Sequence, residues 1–420
     1  MDKKVVKKPG FFSGLVRKPL VLLLLLGLTF WLGTGVGSGR ISLPSRGSDY
    51  NAAAGLPENL NYAAVDEVYD ELRANYDGKL TEEQLITGMK EGLAEATGDP
   101  YTEFFTAKEA KDFQGQINNS FSGIGAELGK DKDDNLIIVA PIAGFPAEKA
   151  GLKPQDIITT INGESTGNLS IDEAVGKIRG DKGTKVTLEV VRGRTQPLSF
   201  TITRDDIKIE SVKSEILEGN IGYLTVTTFG TDTADLFTAA ANKLKQENVK
   251  GIILDLRGNP GGVLDAAVQM SEQWLPAGKL ILEEKRGDVV IERYESKGPG
   301  QLQGIPTVVL INEGSASASE IMAGALRDNK AARLIGEKSY GKGVVQQPIC
   351  VGGNSGFGAG GGCQGDMLKV TVASWFRPNG QNINKKGITP DQTVKLTEED
   401  IKAEKDTQKD AAVQYLQSKQ

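Results

Sequence analysis

The sequence predicts a multidomain α+β chain that ends in a layered α/β domain. Three observations predict it. Apolar residues recur at helical spacing between positions 58 and 115, short β-rich runs broken by turns follow from about 118, and apolar strands alternate with amphipathic helices after about 206. A length of 420 residues leaves room for several domains, and 39% hydrophobic with 25% charged residues is the balance of a globular body.

The net charge of −6 is unevenly spread. Lys3, Lys4, Lys7, Lys8, Arg17 and Lys18 stand against Asp2 alone, so residues 1–18 carry +5 and the rest carries −11. An acidic body offers nucleic acid no electrostatic footing, and none is expected as a partner. Residues 19–39 hold no charge, and 20–26 is an unbroken aliphatic run. That is about 17–20 residues of span, near the minimum for a helix crossing a bilayer. The basic flank predicts a cytoplasmic tail at 1–18 and a body outside the membrane. Gly33-Thr34-Gly35 and Val36-Gly37-Ser38 are poor cleavage sites, so a single-pass anchor is favoured over a cleaved signal, which would leave the body secreted or periplasmic. Residues 40–57 read as a linker.

Leu60, Ala64, Val65, Val68, Leu72 and Tyr76 lie at helical spacing, and Thr81-Glu82-Glu83-Gln84 has the pattern of a capping box. Residues 58–116 therefore read as a helical module without evident chemistry, a packing or dimerisation element that makes a homodimer one expected assembly. From 117 to 205 the runs Ser122-Gly123-Ile124-Gly125-Ala126, Asn135-Leu136-Ile137-Ile138-Val139 and Asp156-Ile157-Ile158-Thr159-Thr160-Ile161-Asn162-Gly163 read as strands and turns. A helix at Ile171–Ile178 and a strand at Lys185–Val191 close the unit. Beyond it, strands are expected at 221–226, 250–256, 307–311, 332–335, 344–348 and 367–374, with helices at 232–246, 266–274 and 318–329. Residues 206–395 form this core, and 396–420 read as a helical tail.

Histidine is absent. Ser-His-Asp and Cys-His catalysis and H-E-x-x-H zinc sites are excluded, and two cysteines alone do not make a structural zinc site. No metal or cofactor is expected. Hydrolytic chemistry is left to carboxylates, lysine or an oxygen-ligated metal.

Two strings answer that requirement. Asn312-Glu313-Gly314-Ser315-Ala316-Ser317-Ala318-Ser319-Glu320 joins a strand to a helix, where small residues permit a sharp turn and a nucleophile gains exposed N–H groups at the positive helix end. Spacing alone does not choose among the three serines. Gly336-Glu337-Lys338-Ser339-Tyr340-Gly341-Lys342-Gly343 fits G-x-x-x-x-G-K, yet Gly343 stands where a phosphate loop needs Ser or Thr, and no helix is expected after it. The string is read instead as placing the Lys342 amine in a tight site. Burial there disfavours the ammonium and lets the amine accept a proton.

Cys350 and Cys363 flank a loop too glycine-rich to hold a shape alone. Outside the membrane they are expected to pair, and closing such a loop stabilises by roughly 3 kcal/mol in the chain-entropy model.

Residues 117–205 resemble a PDZ domain of the bacterial, permuted kind, through Ala150-Gly151-Leu152, Asp156-Ile157-Ile158 and Ile161-Asn162-Gly163. The resemblance implies that Gly123, Ile124, Gly125 and Ala126 offer backbone N–H groups to a C-terminal carboxylate. Residues 58–395 resemble the carboxyl-terminal processing peptidases, or tail-specific proteases. The matching strings are Asp255-Leu256-Arg257-Gly258-Asn259-Pro260-Gly261-Gly262, Gly314-Ser315-Ala316-Ser317-Ala318-Ser319-Glu320, Gly341-Lys342-Gly343 with Gln346, and Trp375-Phe376-Arg377-Pro378-Asn379-Gly380. A crotonase/ClpP-like layered α/β protease core is then implied. So is an endopeptidase that cleaves exported proteins near their free C-termini. The resemblance selects Ser317 as nucleophile, Lys342 as general base and Gln346 to orient the amine. It puts the oxyanion between the Ala318 N–H and that of Gly261 or Gly262, and it gives Arg179 a coupling role beside the PDZ groove. Gly258 stands where the family more usually has Asn, which predicts a looser oxyanion loop. The alternatives are an inactive PDZ scaffold on the same fold and a crotonase-like acyl-CoA enzyme.

Overall fold

The computed structural model describes residues 56–419, apart from 58, 194, 195, 209, 299 and 353–362. The segment expected to meet the membrane lies outside the described residues. Among the described residues, no helix is long and apolar enough to cross a bilayer.

The chain divides into two compact units at Leu80 and Thr81. In the first, Tyr62–Asn75 is a helix whose Asn61 cap accepts from the Ala63 N–H. None of its side chains is buried, and Tyr62, Val65, Val68, Tyr69 and Leu72 are exposed.

The second unit opens with the helix Glu82–Glu95, begun by the expected capping box of Thr81 and Gln84. The reading of 58–116 as helical throughout needs one correction. Glu103–Phe105 is a strand, paired antiparallel with Asp366–Phe376. Three residues are too short for periodicity to reveal, and the pairing partner lies more than 260 positions away. The helix Ala107–Ile117 follows.

The chain enters the PDZ domain along Ser120–Gly123 and leaves along Asp205–Lys208, and these two strands pair as a ribbon. Between them a sheet runs in the order Ala126–Lys130, Leu136–Pro141, Ile157–Ile161, Lys185–Val191, Leu198–Thr203. Ile138, Ile158, Ile161, Val186 and Leu188 point inward from it, packed with Ala174 and Ile178 of the helix Ile171–Ile178. Ala126–Lys130 is an edge strand.

The core sheet runs Val212–Leu217, Ile221–Val226, Gly251–Asp255, Thr307–Ile311, Arg333–Gly336, Gln392–Thr393, parallel after the first pair. Gly251–Asp255 and Thr307–Ile311 are buried at every position, as parallel strands covered on both faces must be. On one face Leu224, Ile252, Leu254 and Val309 meet the helices Thr233–Gln246, Leu264–Ser271 and Ala318–Asp328. On the other, Ile221, Ile253, Val308, Leu310 and Ile335 meet Ala412 and Leu416 of the helix Thr407–Gln417. Residues 407–417 are therefore a layer of the core and not an appended tail. A second sheet holds Asp366–Phe376 between Val344–Val351 on one side and Glu103–Phe105 with Leu280–Arg286 on the other. Leu280–Arg286 continues into a hairpin with Val289–Glu295, which the sequence reading did not anticipate.

Candidate active site

The parallel sheet ends where Thr307–Ile311 turns into the helix Ala318–Asp328, and Ser317 occupies that turn at φ +53°, ψ −113°. A left-handed φ outside glycine costs on the order of 1–3 kcal/mol and persists only where neighbours enforce it. The enforcing bonds are present. The Ser317 N–H donates to Glu320 Oε2 at 2.9 Å and the Ala316 N–H to the Asn259 carbonyl at 3.0 Å. The two flanking serines are fully buried and committed. Ser315 Oγ donates to the Leu256 carbonyl at 2.8 Å, and Ser319 Oγ to the Asn259 carbonyl at 2.9 Å. Of the three serines, Ser317 alone lines the cleft.

That cleft, of about 1050 Å³, is lined by Ser317, Ala318, Gly261, Gly262, Lys342 and Gln346, with Phe229, Val263, Ile321 and Trp375 supplying apolar walls. An added Cβ at Gly261 would fall 2.9 Å from both Ala318 N and Ser317 Cβ, so only glycine lets this backbone lie against the turn. The Gly261 N–H already donates to Asn259 Oδ1 at 2.9 Å. Gly258 lies in this loop. At φ +67° it takes a conformation open to Gly and Asn alike, and its N–H is held by Asn312 Oδ1 at 2.8 Å.

Glu320, which the sequence reading left without a role, is the hinge of the site. It is wholly buried on the first turn of the helix. Oε2 accepts from the Ser317 and Lys342 N–H groups, both at 2.9 Å, and Oε1 from the Gly341 N–H at 2.7 Å and Ser339 Oγ at 2.5 Å. Burial raises its pKa, against the pull of these four donors. One carboxylate thus joins the serine turn to the lysine loop. The signal in the sequence was Ser317-x-x-Glu320, the spacing of a capping box.

The Lys342 amine is mostly shielded from water. Burial is the main force lowering its pKa, and the nearby Lys369 ammonium lowers it further, while Glu103, Asp99 and Glu320 act the other way. Its Nζ lies over the Tyr101 ring, 4.9 Å from the centroid. Among the described residues, no hydrogen bond joins this nitrogen to Ser317 Oγ. Gln346 Nε2 donates to Thr371 Oγ1 at 3.2 Å and not to the lysine. No helix follows Lys342; the strand Val344–Val351 does.

The remaining candidates lie outside this cleft. Ile124 is buried in the PDZ core, and its carbonyl accepts from the Ala147 N–H at 2.7 Å. Gly125 takes φ +72° against Phe145, and Ala126 begins the edge strand. Arg179 caps the C-terminus of the helix Ile171–Ile178 and stacks on Phe121, 4.7 Å from its centroid, next to Gly123. Cys350 and Cys363 are bonded to each other, with Cα atoms 5.6 Å apart. Among the described residues, no cluster of His, Cys, Asp or Glu could hold a metal ion.

A PDZ domain attached to a layered α/β core with a serine-bearing cleft defines a serine-type peptidase. Comparison with known families agrees: residues 220–394 match peptidase family S41 and 137–192 match the PDZ domain. The chain is 40% identical over 334 residues, 79% of its length and 68% of the relative's, to carboxy-terminal processing protease CtpA of Bacillus subtilis (strain 168). It is 36% identical over 337 residues, 79% of its length and 67% of the relative's, to CtpB of the same organism. The crystal structure of a putative S41 protease from Bacteroides fragilis NCTC 9343 shares the fold, with a TM-score of 0.56 at 18% identity over 87% of this chain and 100% of that one. This chain belongs to peptidase family S41, the carboxy-terminal processing serine proteases. That membership sets aside the acyl-CoA reading, and nothing favours an inactive scaffold.

Proposed function

We propose that Ser317 is the nucleophile of an acyl-transfer peptidase and Lys342 its general base. The carrying observation is that one buried carboxylate, Glu320, holds the backbones of both residues at the wall of one cleft. Lys342, when neutral, takes the Ser317 proton as the hydroxyl attacks the scissile carbonyl, and returns it to the leaving amine. Gln346 orients the amine in the engaged state. The developing oxyanion is met by the Ala318 N–H at the helix N-terminus and by that of Gly262, because the Gly261 N–H is already taken by Asn259.

The PDZ edge strand Ala126–Lys130 is free to accept an added strand, which supports recognition of a substrate C-terminus with its carboxylate at Gly123, Ile124, Gly125 and Ala126. Arg179 stands beside that loop and is suited to sense its occupant. The basic tail and apolar run near the N-terminus support a membrane-anchored body on the outer side. The exposed apolar face of Tyr62–Asn75 supports a homodimer.

The test is fluorophosphonate labelling and peptide digestion by the full chain in detergent, with Ser317→Ala as control. Labelling that survives in the control would reject Ser317.

A further inference from the structure

The turn 99–102 reaches Lys342 directly and Gln346 through Thr371, without being part of either motif. Tyr101 puts its ring under the Lys342 amine, with Nζ 4.9 Å from the centroid. Asp99 is tied into the same turn, accepting from Thr102 Oγ1 at 2.7 Å and from the Tyr101 N–H at 3.3 Å, with the Thr371 side chain beside it. Thr371 in turn accepts from Gln346 Nε2 at 3.2 Å, and its N–H donates to Thr102 Oγ1 at 3.2 Å. The strand that follows, Glu103–Phe105, locks the turn to Asp366–Phe376, the strand that carries Thr371. The Lys342 amine therefore rests on this turn, and the Gln346 amide is held by Thr371, the residue the turn bonds to. Among the described residues, no hydrogen bond joins the one to the other or the amine to Ser317 Oγ.

We propose that Tyr101 is a positioning residue for the base, holding the Lys342 ammonium on its ring face in a parked arrangement off Ser317, while Asp99 and Thr371 keep Gln346 parked beside it. The inference rests on the reading of Lys342 as base. The physical reason is the ring quadrupole. Its negative face attracts a cation and not a neutral amine, so it stabilises the form of lysine that cannot accept a proton. Engagement requires the amine to leave the ring, lose its proton and turn to the hydroxyl. The other charged and titratable groups facing Lys342 are Lys369 and Glu103 on the second sheet, Asp99 in the turn and Glu320 on the helix, with Tyr340 of its own loop beside Tyr101. All of them stay in place when Tyr101 alone is changed.

The experiment is the pH profile of kcat/KM for a peptide substrate, for the full chain and for Tyr101→Leu and Tyr101→Phe. Leucine keeps the site apolar and removes both the ring face and the hydroxyl; phenylalanine keeps the ring and removes the hydroxyl alone, so the difference between the two variants reports the ring. The acid limb should move down by roughly half to one pH unit in Tyr101→Leu, with activity at limiting pH retained or raised, and should stay in place in Tyr101→Phe. An acid limb unmoved or moved up in Tyr101→Leu, or an equal downward shift in Tyr101→Phe, would overturn the proposal. Should Tyr101→Leu fail to fold by circular dichroism, Tyr101→Met carries the same expectation. Lys342→Ala separates the two readings: turnover retained there rejects the base itself, whereas an inactive Lys342→Ala with an unmoved Tyr101→Leu profile rejects only the parking role.

Discussion

Around Ser317 the neighbouring side chains are committed to backbone. Ser315, Ser319, Asn259 and the Ala316 N–H are all buried and bonded to backbone, and Gly261 is packed against the turn so closely that no side chain fits. Around Lys342 the backbone is equally well held, through Glu320, the Trp375 indole and Asn382. Its amine nitrogen, though, rests on an aromatic face supplied from far upstream. The serine side is fixed geometry and the lysine side is adjustable chemistry. A hydroxyl on a helix N-terminus needs only the right place, because its dipolar surroundings are built from backbone. A lysine base needs the right charge state as well, and that depends on every ion and ring around it.

The largest expected effect is at the proposed pair, Ser317 and Lys342. Ser317→Ala should reduce turnover of a peptide substrate by more than about 10³-fold with unchanged circular dichroism. Lys342→Met should do nearly the same. In the unmodified chain, kcat/KM should rise with pH as the amine is deprotonated. Burial and Lys369 depress the lysine pKa, so the rise should fall below the ordinary lysine range; a flat profile would break the comparison at its centre.

A smaller effect is expected where the two sides are joined. Glu320→Gln turns one of two oxygens into a donor facing N–H groups that already donate. Stability should fall by about 1–3 kcal/mol, measured by denaturant titration, and turnover by about 10-fold or more, as the serine turn and the lysine loop lose register. Unchanged kinetics would mean that each side is held independently.

At the PDZ domain the effect should be milder. Amidating a substrate's C-terminus, or Gly125→Val at φ +72°, should weaken processing several-fold without affecting cleavage of a short peptide that bypasses the groove. Equal rates for free and amidated substrates would remove the carboxylate from the account. Least visible in activity is Leu416→Ala on the outer face of the sheet. It should lower stability by about 2–5 kcal/mol while kcat stays as it was, because the helix Thr407–Gln417 covers the face opposite the cleft-side helices.

Much of this was legible in order along the chain. The helix Ile171–Ile178 and the strands Lys185–Val191 and Thr307–Ile311 were read with the bounds they have, because periodicity and turn residues are local signals. The hairpin from Leu280 to Glu295 was missed because charged residues interrupt its alternation and Val289, Val290 and Ile291 are exposed. Glu103–Phe105 was missed because its only reason to be a strand is Asp366–Phe376. Glu320 was in plain view as a capping acid, but a capping acid on a surface helix and one buried between two loops have the same spelling.

The sequence by itself determined which chemistry is available. With no histidine and with a glycine-flanked lysine downstream of three small-spaced serines, only a few catalytic arrangements remain. Tertiary structure alone decided which serine is free, which glycine N–H is left unspent and where the lysine amine rests. The serines find their acceptors about 60 residues upstream, and the lysine amine finds its ring still further away. Local pattern carries no information about such partners, because each pairing depends on how the layers pack.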